Sequence, residues 1–406
     1  MAKTLSEKLA YQVTEGNLTQ TEADLIQAFV FEIQAQRGTS NRGIQTRVWS
    51  LTRVSIALHT INSSLDIVTT EDALKIIGLL RNEDYSKNYL NDLIKAFKRF
   101  LLWRIDNGVT VLNEKKIRAI KAPGMDWSAK KPSDMLTKEE VLKVIDACTN
   151  SRDRAIISML YDGSLRPVDL RTLTWNDVTF DEFGAMIRTS AKTGKERAIR
   201  LTISTPYFAQ WRTDYPDKPE GSAPVFLSHR VYKSAGEKHI PLEMDAIVRL
   251  IRSLRKKTGI EKLCPSILRP SRITHDVEDG YDSSYLMLKN WGTLKTPMLQ
   301  VYAKPSEDYI TKYAMEKAGI KTPQKIKERS RTLDPIKCPE CDTLNPAGKR
   351  FCGHCGHTLT EEAQTKVNGL SQELRSRLSK NPKAQKLFFE LMAEMENNPK
   401  GTITLE

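Results

Sequence analysis

No run of about 18 apolar residues occurs in this sequence, so no membrane-spanning helix is expected. The N-terminus, Met1-Ala-Lys-Thr-Leu-Ser-Glu-Lys8, lacks the apolar core of a secretory signal. Cysteine is sparse outside one window: Cys148 and Cys264 stand alone, and the other four of six lie between Cys338 and Cys355. Such clustering argues against a disulfide framework and for metal binding in a reducing compartment. Proline is missing from the first hundred residues, and neither an internal repeat nor a low-complexity tract is present. Together these absences lead to the expectation of a cytoplasmic, nucleoid-associated protein without a membrane partner. At 406 residues the chain has room for two cores and an appendage.

What is present is basic charge. Lys and Arg outnumber Asp and Glu by 63 to 50, a net +13 that suits a polyanionic partner through counterion release. The first region is helical in pattern. In Ser86–Gly108, residues Leu90, Leu93, Ile94, Phe97, Leu101 and Ile105 recur at helical spacing, with Ser86 as N-cap and Gly108 as the stop. Lys95, Lys98, Arg99 and Arg104 sit largely off that stripe, and 42–57 sets Arg42, Arg47 and Arg53 among apolar residues. Two basic helical faces in one small bundle point to DNA.

Residues 121–133, rich in Pro, Gly and Lys, read as a linker. A second domain opens at the capping box Thr137-Lys-Glu-Glu140, with another helix at about Arg154–Tyr161. Next, Ala185–Ser190 and Arg197–Ile203 flank a Gly-containing turn and predict a β-hairpin, before helical periodicity returns over Leu242–Thr258. The expected fold class is mainly α with a small antiparallel sheet.

The stretch Leu160-Tyr-Asp-Gly-Ser-Leu-Arg-Pro-Val-Asp-Leu-Arg-Thr-Leu-Thr-Trp-Asn-Asp177 resembles the first catalytic box of the tyrosine recombinases, the phage integrase family. The remaining boxes follow in order. Lys192 stands in the hairpin turn with Lys195 as its rival, Pro265-Ser-Ile-Leu-Arg-Pro270 is similar to the second box, Asn290-Trp-Gly292 to the third, and Tyr302 stands in the nucleophile's place. The resemblance covers about residues 15–320. It implies a helical, SAM-like core-binding domain (1–120) and a catalytic domain (134–320), acting on double-stranded DNA as a dimer or tetramer. It also implies a chemistry. Tyr302 would attack a phosphate held by Arg166, Arg269 and the Trp291 indole, leaving a 3′-phosphotyrosine, and Lys192 would protonate the leaving oxygen. Neither ATP nor a catalytic metal enters that scheme. Asp169, three residues after Arg166, is expected to orient it.

One position departs from the pattern: Ser266 stands where the family has its second-box histidine. Serine can donate to a phosphate but is a poor base at neutral pH. His275, six residues after Arg269, is out of phase on a helix and reads as an ordinary core or surface histidine. This departure supports an alternative of another class, a non-catalytic DNA-binding regulator descended from an integrase.

Beyond a basic connector (321–337), Cys338-Pro-Glu-Cys341 and Cys352-Gly-His-Cys355 form CxxC-x10-CxxC. Paired thiolates at this spacing favour a closed, structural tetrahedral Zn²⁺ site, with a redox dithiol as the alternative. The segment (338–360) resembles the small zinc ribbons common in archaeal proteins, which suggests an archaeal mobile-element integrase. A helical tail (361–406) carries apolar stripes through Val367 and Leu370, and through Phe388 and Leu391.

Overall fold

A computed structural model of the protein describes residues 4–38, 41–126, 131–189, 195–228, 240–320 and 332–381, together with 383 and 386. The chain divides after residue 129 into two units.

Among the described residues the first unit has six helices: α1 (Leu5–Thr14), α2 (Gln20–Arg37), α3 (Asn41–His59), α4 (Thr70–Asn82), α5 (Lys87–Asp106) and α6 (Glu114–Ala119). Thr4, Thr19 and Thr69 open α1, α2 and α4 with capping boxes that satisfy the first free N–H groups. Ser86 caps α5, as its sequence predicts, and the helix stops two residues before Gly108, whose φ of 88° lies in the left-handed region. Phe29, Phe97 and Phe100 are fully buried, each contributing roughly 1.5–3 kcal/mol through burial. The Glu22 carboxylate is also fully buried. Burial raises its pKa, but hydrogen bonds from the Ser55 hydroxyl and the Thr19 and Leu65 N–H groups, with His59 alongside, outweigh this and hold it below the usual range.

The second unit centres on α8 (Ser151–Asp162), buried along almost its whole length. Around it pack α7 (Lys138–Asp146), the short α9 (Pro167–Arg171), α10 (Thr205–Thr213) and α12 (Leu268–Glu278), while α11 (Met244–Thr258) lies on α7 and α9. Thr137 and Glu140 form the expected capping box of α7. The predicted hairpin is present as β2 (Gly184–Thr189) and β3 (Arg197–Leu201), and a strand not foreseen, β1 (Val178–Asp181), completes an antiparallel sheet in the order β1-β2-β3. After α12 come α13 (Ser283–Trp291), α14 (Met298–Tyr302) and α15 (Glu307–Lys317).

The last described segment has β4 (Ile336–Lys337) paired with β5 (Leu344–Asn345), followed by α16 (Glu361–Ser379). β5 lies against α10, and Leu333, just ahead of β4, is buried in the core of the second unit. Residues 332–337 are thus anchored, whereas the sequence reads as a flexible connector; 321–331 lie outside the described residues. On α16, Val367 and Leu370 are exposed, and Phe388 and Leu391 lie outside the described residues. No described helix is long and apolar enough to cross a membrane.

Candidate active site

The site is assembled where α8 ends. Gly163 caps the helix, and Ser164 takes a left-handed conformation (φ 46°), unusual for a residue with a Cβ. The chain then turns into α9 with Arg166 as its N-cap and Pro167 in the first turn, where a missing N–H costs nothing. The Arg166 N–H donates to Asp169 Oδ2 at 3.0 Å, while its guanidinium stands 3.9 Å from the same oxygen. Asp169 therefore fixes the backbone of Arg166 more closely than its side chain.

Arg269 enters from the first turn of α12, and Pro270 sits one residue before the first intrahelical donor, Ser271, so the helix tolerates it. The buried Arg269 guanidinium donates to the carbonyl of Ser164, and to that of Asn290 at 2.7 Å. Its Nε is buried with no acceptor among the described residues. Burial, together with the charges of Arg166 and Arg197, pushes Arg269 down to about 9. Among the described residues no carboxylate hydrogen-bonds to it; a buried guanidinium so placed favours an incoming anion.

Trp291 and Tyr302 complete the cluster. The Arg269 guanidinium lies 5.4 Å from the Trp291 ring centre and 5.5 Å from that of Tyr302, and the two rings are 5.7 Å apart. The Trp291 indole nitrogen is buried and likewise has no acceptor among the described residues. Thr274 holds the end of α14 against α12: its hydroxyl donates to the Tyr302 carbonyl and accepts from the Lys304 N–H, both at 3.1 Å. Tyr302 itself is half-buried at the edge of the cluster. Tyr309 and Tyr313 stack on each other in α15.

Arg166, Arg269, Trp291 and Tyr302 are thus brought together. Lys192 lies outside the described residues, and its rival Lys195 is exposed just before β3. Ser266 is exposed, its hydroxyl 3.4 Å from Cys264 Sγ. His275 is buried, with Nδ1 2.7 Å from the Tyr161 hydroxyl oxygen; burial and the nearby charges of Lys138 and Arg272 lower its pKa to about 4, as befits a neutral core residue.

Residues 134–307 match the model of the phage integrase family. The tyrosine recombinase XerA of Pyrococcus horikoshii is 30% identical over 253 residues, covering 62% of this chain and 81% of that protein. The chain belongs to the phage integrase family of tyrosine recombinases. Enzymes of this family break and rejoin DNA. A more distant relative, transposase A of transposon Tn554 from Staphylococcus aureus, is 26% identical over 244 residues, 56% of this chain and 61% of that one. The fold is shared with the Tn1549 transposon integrase in complex with circular intermediate DNA (TM-score 0.51, 16% identity, 71% of this chain and 98% of that one). It is also shared with lambda integrase bound to DNA (TM-score 0.51, 15% identity, 69% and 95%).

Within this recombinase the box pattern leaves several side chains unassigned. Arg197 is almost fully buried, donating to Asp169 Oδ2 at 2.6 Å and to the Asn290 carbonyl at 3.1 Å. A signal for it exists in the sequence: Arg197 shares strand parity with Ile199 and Leu201, the inward face of β3. Behind the site, Arg272 pairs with Asp276 at 2.8 Å and stands 3.7 Å from Asp162, while Lys289 pairs with Asp276 at 2.9 Å. The Arg272–Asp276 spacing of four on α12 is readable; the long-range partners are not.

The sulfurs of Cys338, Cys341, Cys352 and Cys355 lie within 4.8 Å of one another, with two pairs at 3.6 Å. Four thiolates around a tetrahedral Zn²⁺ stand about 3.8 Å apart, so the set fits that ion. Asn345 Nδ2 and the His354 N–H each approach Cys352 Sγ at 3.4 Å, the outer contacts that steady a thiolate ligand.

Proposed function

We propose that this recombinase is a site-specific integrase of a mobile element, with Tyr302 as its nucleophile and double-stranded DNA as its substrate. The observation that carries the reading is the cationic pocket: the buried Arg269, hydrogen-bonded among the described residues only to carbonyls, beside an indole N–H with no acceptor there and the ring of Tyr302. A phosphodiester fills that pocket. Its non-bridging oxygens take hydrogen bonds from Arg166, Arg269 and Trp291, whose donors best match the greater negative charge of the pentacoordinate transition state. Tyr302 Oη forms the new bond to phosphorus as the P–O5′ bond breaks. The leaving oxygen takes its proton from Lys192, the residue that the family pattern assigns to this step. The ester conserves the bond energy for rejoining.

Ser266 offers no base, so the Tyr302 hydroxyl proton passes to solvent water as the new bond forms. The metal centre has no part in this chemistry; Zn²⁺ on Cys338, Cys341, Cys352 and Cys355 would fold the ribbon on residues 338–360. Residues 1–120 serve as the core-binding domain and 134–320 as the catalytic domain, acting as a dimer or tetramer on DNA in the cytoplasm.

The test is a covalent trap. Nicked duplexes tiled across the DNA flanking the gene should give a protein–DNA adduct stable to denaturation with wild type and none with Tyr302→Phe. Salt-dependent binding by wild type without any adduct would instead establish the non-catalytic regulator.

A further inference from the structure

Arg197 is not one of the phosphate-contacting residues proposed above, yet its guanidinium touches the fixtures of both arginines that are. Nη2 donates to Asp169 Oδ2, the oxygen that also accepts the Arg166 N–H; Nη1 donates to the Asn290 carbonyl, the oxygen that also accepts from Arg269 Nη2. We infer that Arg197 is a positioning residue that spans the two phosphate-gripping arginines and sets their separation, an inference resting on the reading of Tyr302 as nucleophile.

The physical case starts from repulsion. Arg166, Arg197 and Arg269 share one nearby carboxylate, Asp169, and the charges of Arg166 and Arg197 both oppose that of Arg269. Such a cluster holds its geometry only if something rigid ties it. Arg166 begins α9 and Arg269 begins α12, far apart in sequence, so no local element does so. The planar fork of Arg197, donating in two directions, is that tie. A buried ion pair with Asp169 alone would be neutral for stability and replaceable by apolar residues. Sharing both acceptors with the site is what distinguishes this one.

Its two acceptors are themselves fixed. Asp169 sits in the first turn of α9, and the end of α13 is pressed against the start of β3 at Gly292. There a Cβ would stand 2.8 Å from the Glu196 carbonyl, so only glycine permits the approach that brings the Asn290 carbonyl within reach of Arg197.

A positioning role predicts a loss in rate without a loss in affinity, because DNA affinity is spread over many phosphates whereas the arginines act on one. Single-turnover cleavage of a saturating nicked duplex, with DNA affinity measured in parallel, separates the two. Arg197→Gln should lower the rate constant roughly a hundredfold, as misplacement by about 1 Å does, while the dissociation constant stays within about threefold. Arg197→Lys, which restores charge but not the fork, should recover part of the loss, to about tenfold below wild type. A scaffold residue behaves differently: fewer molecules react, but those that do keep the wild-type rate constant. A wild-type rate constant in Arg197→Gln, with or without reduced amplitude, overturns the inference. Should the Gln variant not fold, the Lys variant decides on the same criterion. If wild type forms no adduct, the Tyr302 reading itself has failed; an adduct with unaltered rates in both variants removes only the role of Arg197.

Discussion

Arg269 and Arg272 stand one helical turn apart on α12 and are equally buried, yet their surroundings are opposite. Arg272 lies among carboxylates. Burial works against its charge, but Asp276 and Asp162 outweigh this and its pKa is raised. Among the described residues Arg269 hydrogen-bonds only to carbonyls, and burial with the charges of Arg166 and Arg197 lowers its pKa. One arginine has been given its counter-ions by the fold. The other has no carboxylate in hydrogen-bond contact among the described residues, which leaves its charge for the phosphate proposed above. Structural and functional guanidiniums are therefore distinguished by what neutralises them and not by burial.

The comparison breaks first at Arg272. Replacing it with Met leaves Asp276 and Asp162 short of positive charge in the core, and should cost about 3–5 kcal/mol in urea unfolding. A loss below about 1 kcal/mol would mean that Lys289 alone suffices for Asp276. Arg269→Gln should do the reverse. Stability stays within about 1 kcal/mol of wild type, since no carboxylate is orphaned and the amide can still donate. Cleavage of the nicked duplex nevertheless falls roughly 10²–10³-fold, as for loss of one preorganised donor. Unfolding of Arg269→Gln as severe as that of Arg272→Met would erase the distinction.

A smaller effect sharpens the picture behind the site. His275 stays neutral in the fold down to about pH 4, whereas an unfolded histidine takes up a proton below about 6.5. Between these values the unfolded chain binds more protons, so stability declines as pH falls from 7 towards 4, by up to about 3 kcal/mol from this group. His275→Asn, whose amide can donate to or accept from the Tyr161 hydroxyl, should flatten that decline when unfolding is compared at pH 7.5 and pH 5. An unchanged slope would show that His275 titrates freely.

Much of the fold was legible because its signals are local. The Thr137–Glu140 box, the Ser86 cap and the apolar stripe of α5 depend on neighbours a few residues away. So does the paired spacing of Cys338, Cys341, Cys352 and Cys355, since each CxxC is a local loop. The site was legible in part: Arg166, Arg269, Trp291 and Tyr302 could be named from their boxes, and the structure brings them together. Strand β1 escaped notice, and so did the anchoring of Leu333, because neither carries a strong pattern of its own.

By itself the sequence determined the helices, the hairpin, the cysteine loops and the kinds of side chain available to the chemistry, all of which follow from periodicity, capping and short spacing. Only the tertiary structure decided which buried charges were neutralised. Whether an arginine faces Asp276 or the carbonyls of Ser164 and Asn290 depends on segments up to 105 residues away in the chain. Electrostatic energy in a buried site is set by distance in space, and no one-dimensional pattern records that distance.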